Sequence, residues 1–351
     1  MPLQILPYTY DIVGEVREFN RRLLAGGAPA DQQFPEAPEP RWMPGMELFV
    51  AVEEGKVRGG YILRRQQFTA HGTSLSAAHY RLPLSEGIVD RKYAMVGLRL
   101  VRDALAREPR LYAMGMGGWD KPLPQMLKSL RWTMSEVPFR FKVAHPARFL
   151  RNIRVLRTSA VRRAGLDLAA WSGAGWLGMK ALGLARALPA VECEGAERFA
   201  PWADEVWQRA HGGYGLLGQR DAATLDQLYP ASDGRFLRMR AGGGWAVLLD
   251  TQMRDHKQFG DMRVGTIVDC FGPIDSAGAV MRGATSLLER RGVDLLVSNQ
   301  SHGAWLGGLA DAGFRAGPSN YLLALSPKLA EAVGGGGIHV NRGDGDGPIH
   351  L

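Results

Sequence analysis

Along Tyr93–Ala106 apolar residues return every three or four positions, at Val96, Leu100 and Ala104 and again at Leu98, Val101 and Leu105. That spacing lines one buried face of a helix. Pro109 marks its end, because a proline and the residue before it disfavour helical continuation. The helix follows a strand ending near Leu84 and a polar turn, Ser85–Arg91, and leads into a second strand at Leu111–Met116. A strand that enters a helix through a polar turn suits an anion, since free backbone N–H groups and the helix dipole point into the turn.

The pattern occurs a second time at Arg263–Asn299. The copies align without a gap when Leu98 is set on Val280: Leu105 falls on Leu287, Leu111 on Val293, Leu127 on Leu309 and Trp132 on Phe314. Pro138–Val143 then falls on Asn320–Leu325. Two copies imply two similar domains, whereas a solenoid would need more.

Elsewhere the pattern predicts a strand at Leu3–Leu6, a helix at Val13–Leu24 stopped by Gly26-Gly27, and a proline-rich loop at Ala28–Gly45. Leu48–Val52 and Val57–Arg64 form a hairpin, and a strand follows at Ala77–Leu84. In the second half, Pro201–Ala210 and Asp221–Leu228 read as helices, Phe236–Met239 and Trp245–Leu249 as paired strands, and Val264–Cys270 as the central strand. The tail has a glycine run at Val333–Gly337, with a late hairpin expected from Ile338–Arg342 and Pro348–Leu351.

Charge changes the picture between the copies. Arg140, Lys142, Arg148, Arg151, Arg154, Arg157, Arg162 and Arg163 follow with no acid between Glu136 and Asp167, and this run matches the net charge of +8. Phe149, Ile153, Leu156 and Ala160 share a helical face within it, and Trp171 and Trp176 lie beyond. Such a segment fits either a basic surface against anionic lipid or a polyanion, or a helix pair packed between domains with solvated arginines. No nucleic-acid recognition motif accompanies the charge, so no nucleic acid is expected.

The 351 residues allow about two domains, and 46% hydrophobic with 22% charged content argues against global disorder. Two cysteines, Cys193 and Cys270, indicate no disulfide framework, and a reducing compartment fits. The N-terminal MPLQILPYTYD lacks the features of a secretory signal, and no apolar run approaches the roughly 20 residues of a membrane span. The expected location is cytoplasmic, with contact at the inner face of a membrane. Asp344-Gly345-Asp346 lacks the other ligands of a calcium loop, and no metal is expected.

The order strand, turn, helix, strand, short helix, then Gly313-Phe314 (Arg131-Trp132 in the first copy) and a last strand resembles the core of the GNAT acyltransferases. The resemblance implies an α+β protein with two GNAT-like domains, each a mixed, mostly antiparallel sheet flanked by helices. They would span 1–143 and 193–332, joined by a basic amphipathic linker at 144–192 and followed by a Gly-rich tail at 333–351. In that family the turn after the central strand carries Arg/Gln-x-x-Gly-x-Gly/Ala and binds the coenzyme A pyrophosphate. Here Arg91 holds the first position, while Ala94 and Val96 replace the two small ones. The second turn, Gly272-Pro273-Ile274-Asp275, has no such motif, and an acid there repels a diphosphate.

The implied activity is N- or O-acyl transfer from acetyl-CoA or another acyl-CoA to an amine or hydroxyl acceptor, a small molecule or a glycan. Arg91, Lys92, Tyr93 and Gly97 would bind the cofactor in the first domain. Acyl transfer must hold the thioester, take a proton from the acceptor and return one to the leaving thiolate. Glu86 is the expected general base, with Ser85 beside the substrate. In the second domain Asn299 and His302 are catalytic candidates, and Asp269, Gln300 and Ser301 would contact the acceptor or another ligand. Ser301 also reads as a helix N-cap. Cys270 is expected as a small buried hydrophobe more than as a nucleophile paired with His302. The alternative is a catalytically silent GNAT-like protein that binds a ligand or partner.

Overall fold

The computed structural model describes residues 2–39, 45–154 and 188–345. The chain begins β1 (Gln4–Pro7), α1 (Val13–Ala25), β2 (Met46–Glu53), β3 (Lys56–Ala70), β4 (Thr73–Ser85), α2 (Val96–Arg107) and β5 (Leu111–Gly115). α3 (Pro122–Ser129), β6 (Thr133–Glu136), β7 (Phe139–Val143) and α4 (Pro146–Asn152) complete the first half. The second opens with β8 (Glu194–Ala196), α5 (Pro201–Ala210), β9 (Leu216–Gly218), α6 (Ala222–Leu228), β10 (Leu237–Ala241) and β11 (Gly244–Gln252). Next come β12 (Arg263–Phe271), α7 (Ala277–Arg290), β13 (Leu295–Asn299), α8 (Gly303–Asp311) and β14 (Arg315–Gly317). β15 (Leu322–Leu325), α9 (Pro327–Val333) and β16 (Ile338–His339) follow.

The repeat is real at the level of elements. In the register that sets Leu98 on Val280, α2 matches α7, β5 matches β13, α3 matches α8, β6 matches β14 and β7 matches β15, each to within two residues at its start. Two compact units result. The first comprises Met1–Phe68, Ser74–Ser135 and Leu322–Gly334; the second comprises Thr69–Thr73, Glu136–Tyr321 and Gly335–Leu351. These differ from a division at residue 143. The last strand of each repeat joins the sheet of the other half.

In the first unit the strand order is β1-β2-β3-β4-β5-β15-β6, so β15 from the second repeat lies beside β5. It pairs antiparallel with it, from Leu322 against Gly115 to Leu325 against Tyr112. In the second unit the order is β14-β7-β13-β12-β11-β10-β8. There β7 pairs with β13, from Phe139 against Asn299 to Val143 against Leu295. Local pattern cannot choose between these partners, because either central strand offers β7 or β15 the same free backbone edge.

Each unit buries the apolar helix faces that the three-and-four spacing predicts. In α1, Val16, Phe19 and Leu23 are fully buried, and they pack with Val50, Ile62 and Leu84 of the sheet. α2 and α3 place Val96, Leu100, Val101, Ala104 and Leu127 against Tyr61, Tyr80 and Ala113. In the second unit Val280, Met281, Ala284 and Leu288 of α7 meet Trp245, Val247, Ile267 and Leu296, with Trp305 and Leu309 of α8.

Ile338–His339 runs parallel to Leu216–Leu217 of β9. Pro348–Leu351, the second strand of the expected late hairpin, lie outside the described residues. The start of the basic amphipathic segment is part of the second unit's core. Ile153 is buried with Met253, Met262, Val264 and Val297, and Phe149 packs against them. Lys142, Arg148 and Arg154 pair with Glu289, Asp294 and Asp255. Leu156, Arg157, Ala160, Arg162, Arg163, Trp171 and Trp176 lie outside the described residues. No described helix is long and apolar enough to cross a membrane.

Candidate functional site

The first unit opens where two parallel strands part. β4 and β5 are in register only at Ala78 with Leu111 and His79 with Tyr112. Beyond that point β4 carries Leu82 at φ 46°, a left-handed conformation that breaks regular pairing, as a bulge does. The strands diverge toward their carboxyl ends, where two short 3₁₀ turns, Glu86–Ile88 and Arg91–Tyr93, lead into α2. Side chains hold these turns: Ser85 accepts from the Gly87 N–H, and Asp90 accepts from the Lys92 N–H. Arg91 and Lys92 are exposed and, among the described residues, have no carboxylate partner within 4.0 Å. Tyr93 is buried beneath them with the Arg58 guanidinium 4.2 Å from its ring centre. Gly97, in the first turn of α2, faces open space apart from Met126.

Glu86 is held as a paired carboxylate. It is buried, and it accepts from Arg22 Nε at 2.7 Å and from Arg58 Nη1 at 2.8 Å. Both of its oxygens are therefore taken by guanidinium groups, and the carboxylate expected as the general base is held as an ion pair. Its role is to tie α1 and β3 to the turn after β4.

The face of the sheet turned away from α2 carries a polar row absent from the sequence reading. Arg64 and Gln66 on β3, His79 and Arg81 on β4, and Tyr112 on β5 belong to it. The His79 and Tyr112 rings stack with centres 4.8 Å apart and planes 8° apart. The Tyr112 hydroxyl donates to Gln66 Oε1, and Arg64 Nη2 lies 3.5 Å from that hydroxyl. His79 is 1% exposed, and its Nδ1 has no hydrogen-bond partner among the described residues. Burial, and then the charges of Arg64 and Arg81, hold it well below the ordinary histidine range. The available signal was alternation: Ala77, His79 and Arg81 point one way along β4, and the core residues Ala78 and Tyr80 point the other.

In the second unit the equivalent opening is filled by the chain itself. β12 and β13 pair in parallel from Val264 with Leu295 to Ile267 with Ser298 and then part. Residues 338–345 enter the gap. Ser301 Oγ donates to the Ile338 carbonyl and accepts from the Val340 N–H, and Gln300 bridges to Asn341. Asp269, 1% exposed, accepts from Arg220 Nε, Asn341 Nδ2 and the Cys270 N–H on one oxygen and from the Tyr229 hydroxyl on the other. Arg220 reaches Asp344 with its second nitrogen, at 2.8 Å.

The residues expected to act in this cleft are therefore committed to it as structure. Asn299 donates to the Val137 carbonyl and accepts from Arg342. Gln300 accepts from Cys270 Sγ and donates to Ser298. His302 caps α8 by accepting from the Ala304 N–H, and burial lowers its pKa. The helix cap is thus His302, where Ser301 had been expected. Cys270 is fully buried and burial pushes its thiol up, which leaves it neutral and a poor nucleophile. Its nearest imidazole contact is His339, at its backbone carbonyl, 2.8 Å away. Asp344 is taken by Arg220, and no cluster of metal-ligating side chains occurs among the described residues.

No family model and no curated protein matches the sequence. Solved structures do. A protein of unknown function from Enterococcus faecalis, named as a probable N-acyltransferase, matches over 92% of this chain and 72% of its own, at 9% identity and a TM-score of 0.50. N-myristoyltransferase of Saccharomyces cerevisiae, with bound myristoyl-CoA, matches over 93% of this chain and 80% of its own, at 9% identity and a TM-score of 0.51. At such identities the likeness is one of fold. The chain is an α+β protein of two mixed, largely antiparallel sheets flanked by helices. Its fold is the two-domain GNAT-like fold that the repeat resembles.

Proposed function

We propose that this chain is an acyl-CoA-dependent N- or O-acyltransferase whose donor site lies in the first unit. The observation that carries the reading is the contrast between the two strand openings. In the first, β4 and β5 part after His79 and Tyr112 and open onto a turn bearing Arg91 and Lys92. In the second, residues 338–345 occupy the gap, and Asp275 lies in the turn. A parted strand offers free N–H and C=O groups to an extended amide-bearing ligand. Guanidinium and ammonium groups suit its diphosphate. Tyr93 and Gly97 line the same turn and helix start, and Ser85 and Glu86 hold its shape.

The acceptor is an amine or hydroxyl on a small molecule or glycan. Contact with an anionic membrane rests with the basic segment through Arg163. Co-sedimentation with anionic and neutral vesicles at low and moderate salt tests it, and protein left in the supernatant with anionic vesicles at low salt removes that part.

Calorimetry with acetyl-CoA and longer acyl-CoAs tests the central reading. Arg91→Ala should weaken binding about fivefold, the loss of roughly 1 kcal/mol for one exposed charge-assisted contact. A folded protein that binds no acyl-CoA defeats the donor assignment. Binding without transfer to any amine or hydroxyl in a panel would favour the silent, ligand-binding alternative.

A further inference from the structure

With Glu86 locked between two arginines, and Asn299 and His302 committed to the second unit, the acyl transfer proposed above lacks a base. The buried imidazole at the parting of β4 and β5 supplies one. We propose that His79 is the proton-transfer residue of this protein and that Tyr112 positions it. The inference rests on the acyltransferase reading and deepens it.

Three features of the first unit lead there. His79 and Tyr112 form the last parallel pair before the strands part, so a thioester lying in the opening comes beside them. The His79 side chain is 1% exposed, yet its Nδ1 meets no donor or acceptor among the described residues. A buried polar atom left unpaired costs on the order of 1–3 kcal/mol, and a catalytic role is one of the few things that explain such an atom in a native fold. The ring is also fixed: it lies flat on Tyr112, whose hydroxyl is anchored to Gln66 Oε1. Fixed orientation is what a base requires to meet a proton at hydrogen-bond distance.

The charged and titratable groups around His79 are Arg64 on β3, Arg81 on β4 and Tyr112 on β5. Two cations and burial keep the imidazole neutral, which leaves a lone pair ready at neutral pH. In the step itself the acceptor nitrogen or oxygen attacks the thioester carbon, and His79 Nδ1 takes the proton that this atom loses. The C–S bond breaks, and the imidazolium returns the proton to the leaving thiolate. Acyl-CoA and acceptor become acylated acceptor and free CoA thiol, with His79 neutral again and no further reactant.

The experiment uses the full chain, acetyl-CoA as donor and hydroxylamine as a small generic acceptor, with thiol release followed by a chromogenic disulfide. His79→Gln should bind acetyl-CoA with affinity within about twofold of the parent, which separates chemistry from binding. Thiol release should fall by about 100-fold or more, the usual contribution of a positioned base. In the parent, the rate should rise with pH through the His79 transition and level off below the ordinary histidine value of 6.5. In His79→Gln that rise should vanish, and added imidazole should restore part of the rate to His79→Ala. Nitrogen-15 NMR of the imidazoles should show the His79 signal moving when acetyl-CoA binds.

A folded, donor-binding His79→Gln with unchanged rate and pH profile overturns the proposal. So does a parent protein that binds acetyl-CoA but releases no thiol to hydroxylamine, or a His79 signal unmoved by bound donor. A parent that binds no acyl-CoA fails earlier and takes down the acyltransferase reading itself.

Discussion

Replacing Arg220 by methionine should destabilise the second unit more than any other single change to its polar cluster. The guanidinium is 1% exposed and serves two carboxylates, Asp269 Oδ1 at 3.0 Å from Nε and Asp344 Oδ2 at 2.8 Å from Nη2. It also donates to the Gly218 carbonyl. Methionine keeps the aliphatic stem but leaves two buried carboxylates facing each other without a cation. Removing one partner of a buried pair costs about 3–5 kcal/mol, and one cation shared by two acids places this loss near the upper figure. The loss should also depend on pH. Burial already raises the Asp344 carboxyl, against the pull of Arg220. Without that cation the folded state holds a proton that the unfolded chain releases. A carboxyl raised on folding keeps its stability below the unfolded value of 3.8 and loses it as pH rises through the folded one. Arg220→Met should therefore lie closer to the parent at pH 5 than at pH 8. Urea unfolding at both values, with the slope compared to exclude a change in the denatured state, measures it. A loss under about 1 kcal/mol, or equal losses at both pH values, refutes the account of a cation shared by buried acids.

Three further outcomes follow from the same structure. Gly343→Ala places a Cβ against the Tyr229 hydroxyl and 2.9 Å from Asp269 Oδ2, so it should push residues 338–345 out of the second cleft. Faster hydrogen exchange at Val340 and Asn341 would show it, and unchanged protection would exclude it. Glu86→Gln leaves the Arg58 guanidinium without its carboxylate partner and should cost about 3 kcal/mol in urea unfolding, with weaker acyl-CoA binding as the turn loosens; equal stability would make Glu86 dispensable to the turn. His79, His302 and His339 are all held below the ordinary histidine value by burial. Their unfolded forms take up protons as pH falls through 6.5 while the folded forms do not, so stability should decline from pH 7 toward pH 5. Urea midpoints that stay level over that range would contradict the neutral buried imidazoles.

The sequence by itself determined the elements and their doubling. The three-and-four spacing at Val96–Leu105 gives α2 because a helix has 3.6 residues per turn, and the same spacing around Val280 gives α7. Gly26, Pro109 and Pro201 set helix ends through their backbones alone. Those are local properties, and the register of Leu98 on Val280 followed from them. Tertiary structure alone decided which sheet takes Phe139–Val143 and Leu322–Leu325, since a free strand edge in either half satisfies the same backbone groups. It also decided the fate of the polar residues. Glu86 and Asn299–His302 look like chemistry in one dimension, but Arg22, Arg58, Arg342 and the 338–345 segment, distant in sequence, consume their hydrogen bonds. His79 sits in an ordinary strand pattern. Only the third dimension sets it on Tyr112, leaves its Nδ1 without a partner among the described residues and places it where two parallel strands separate.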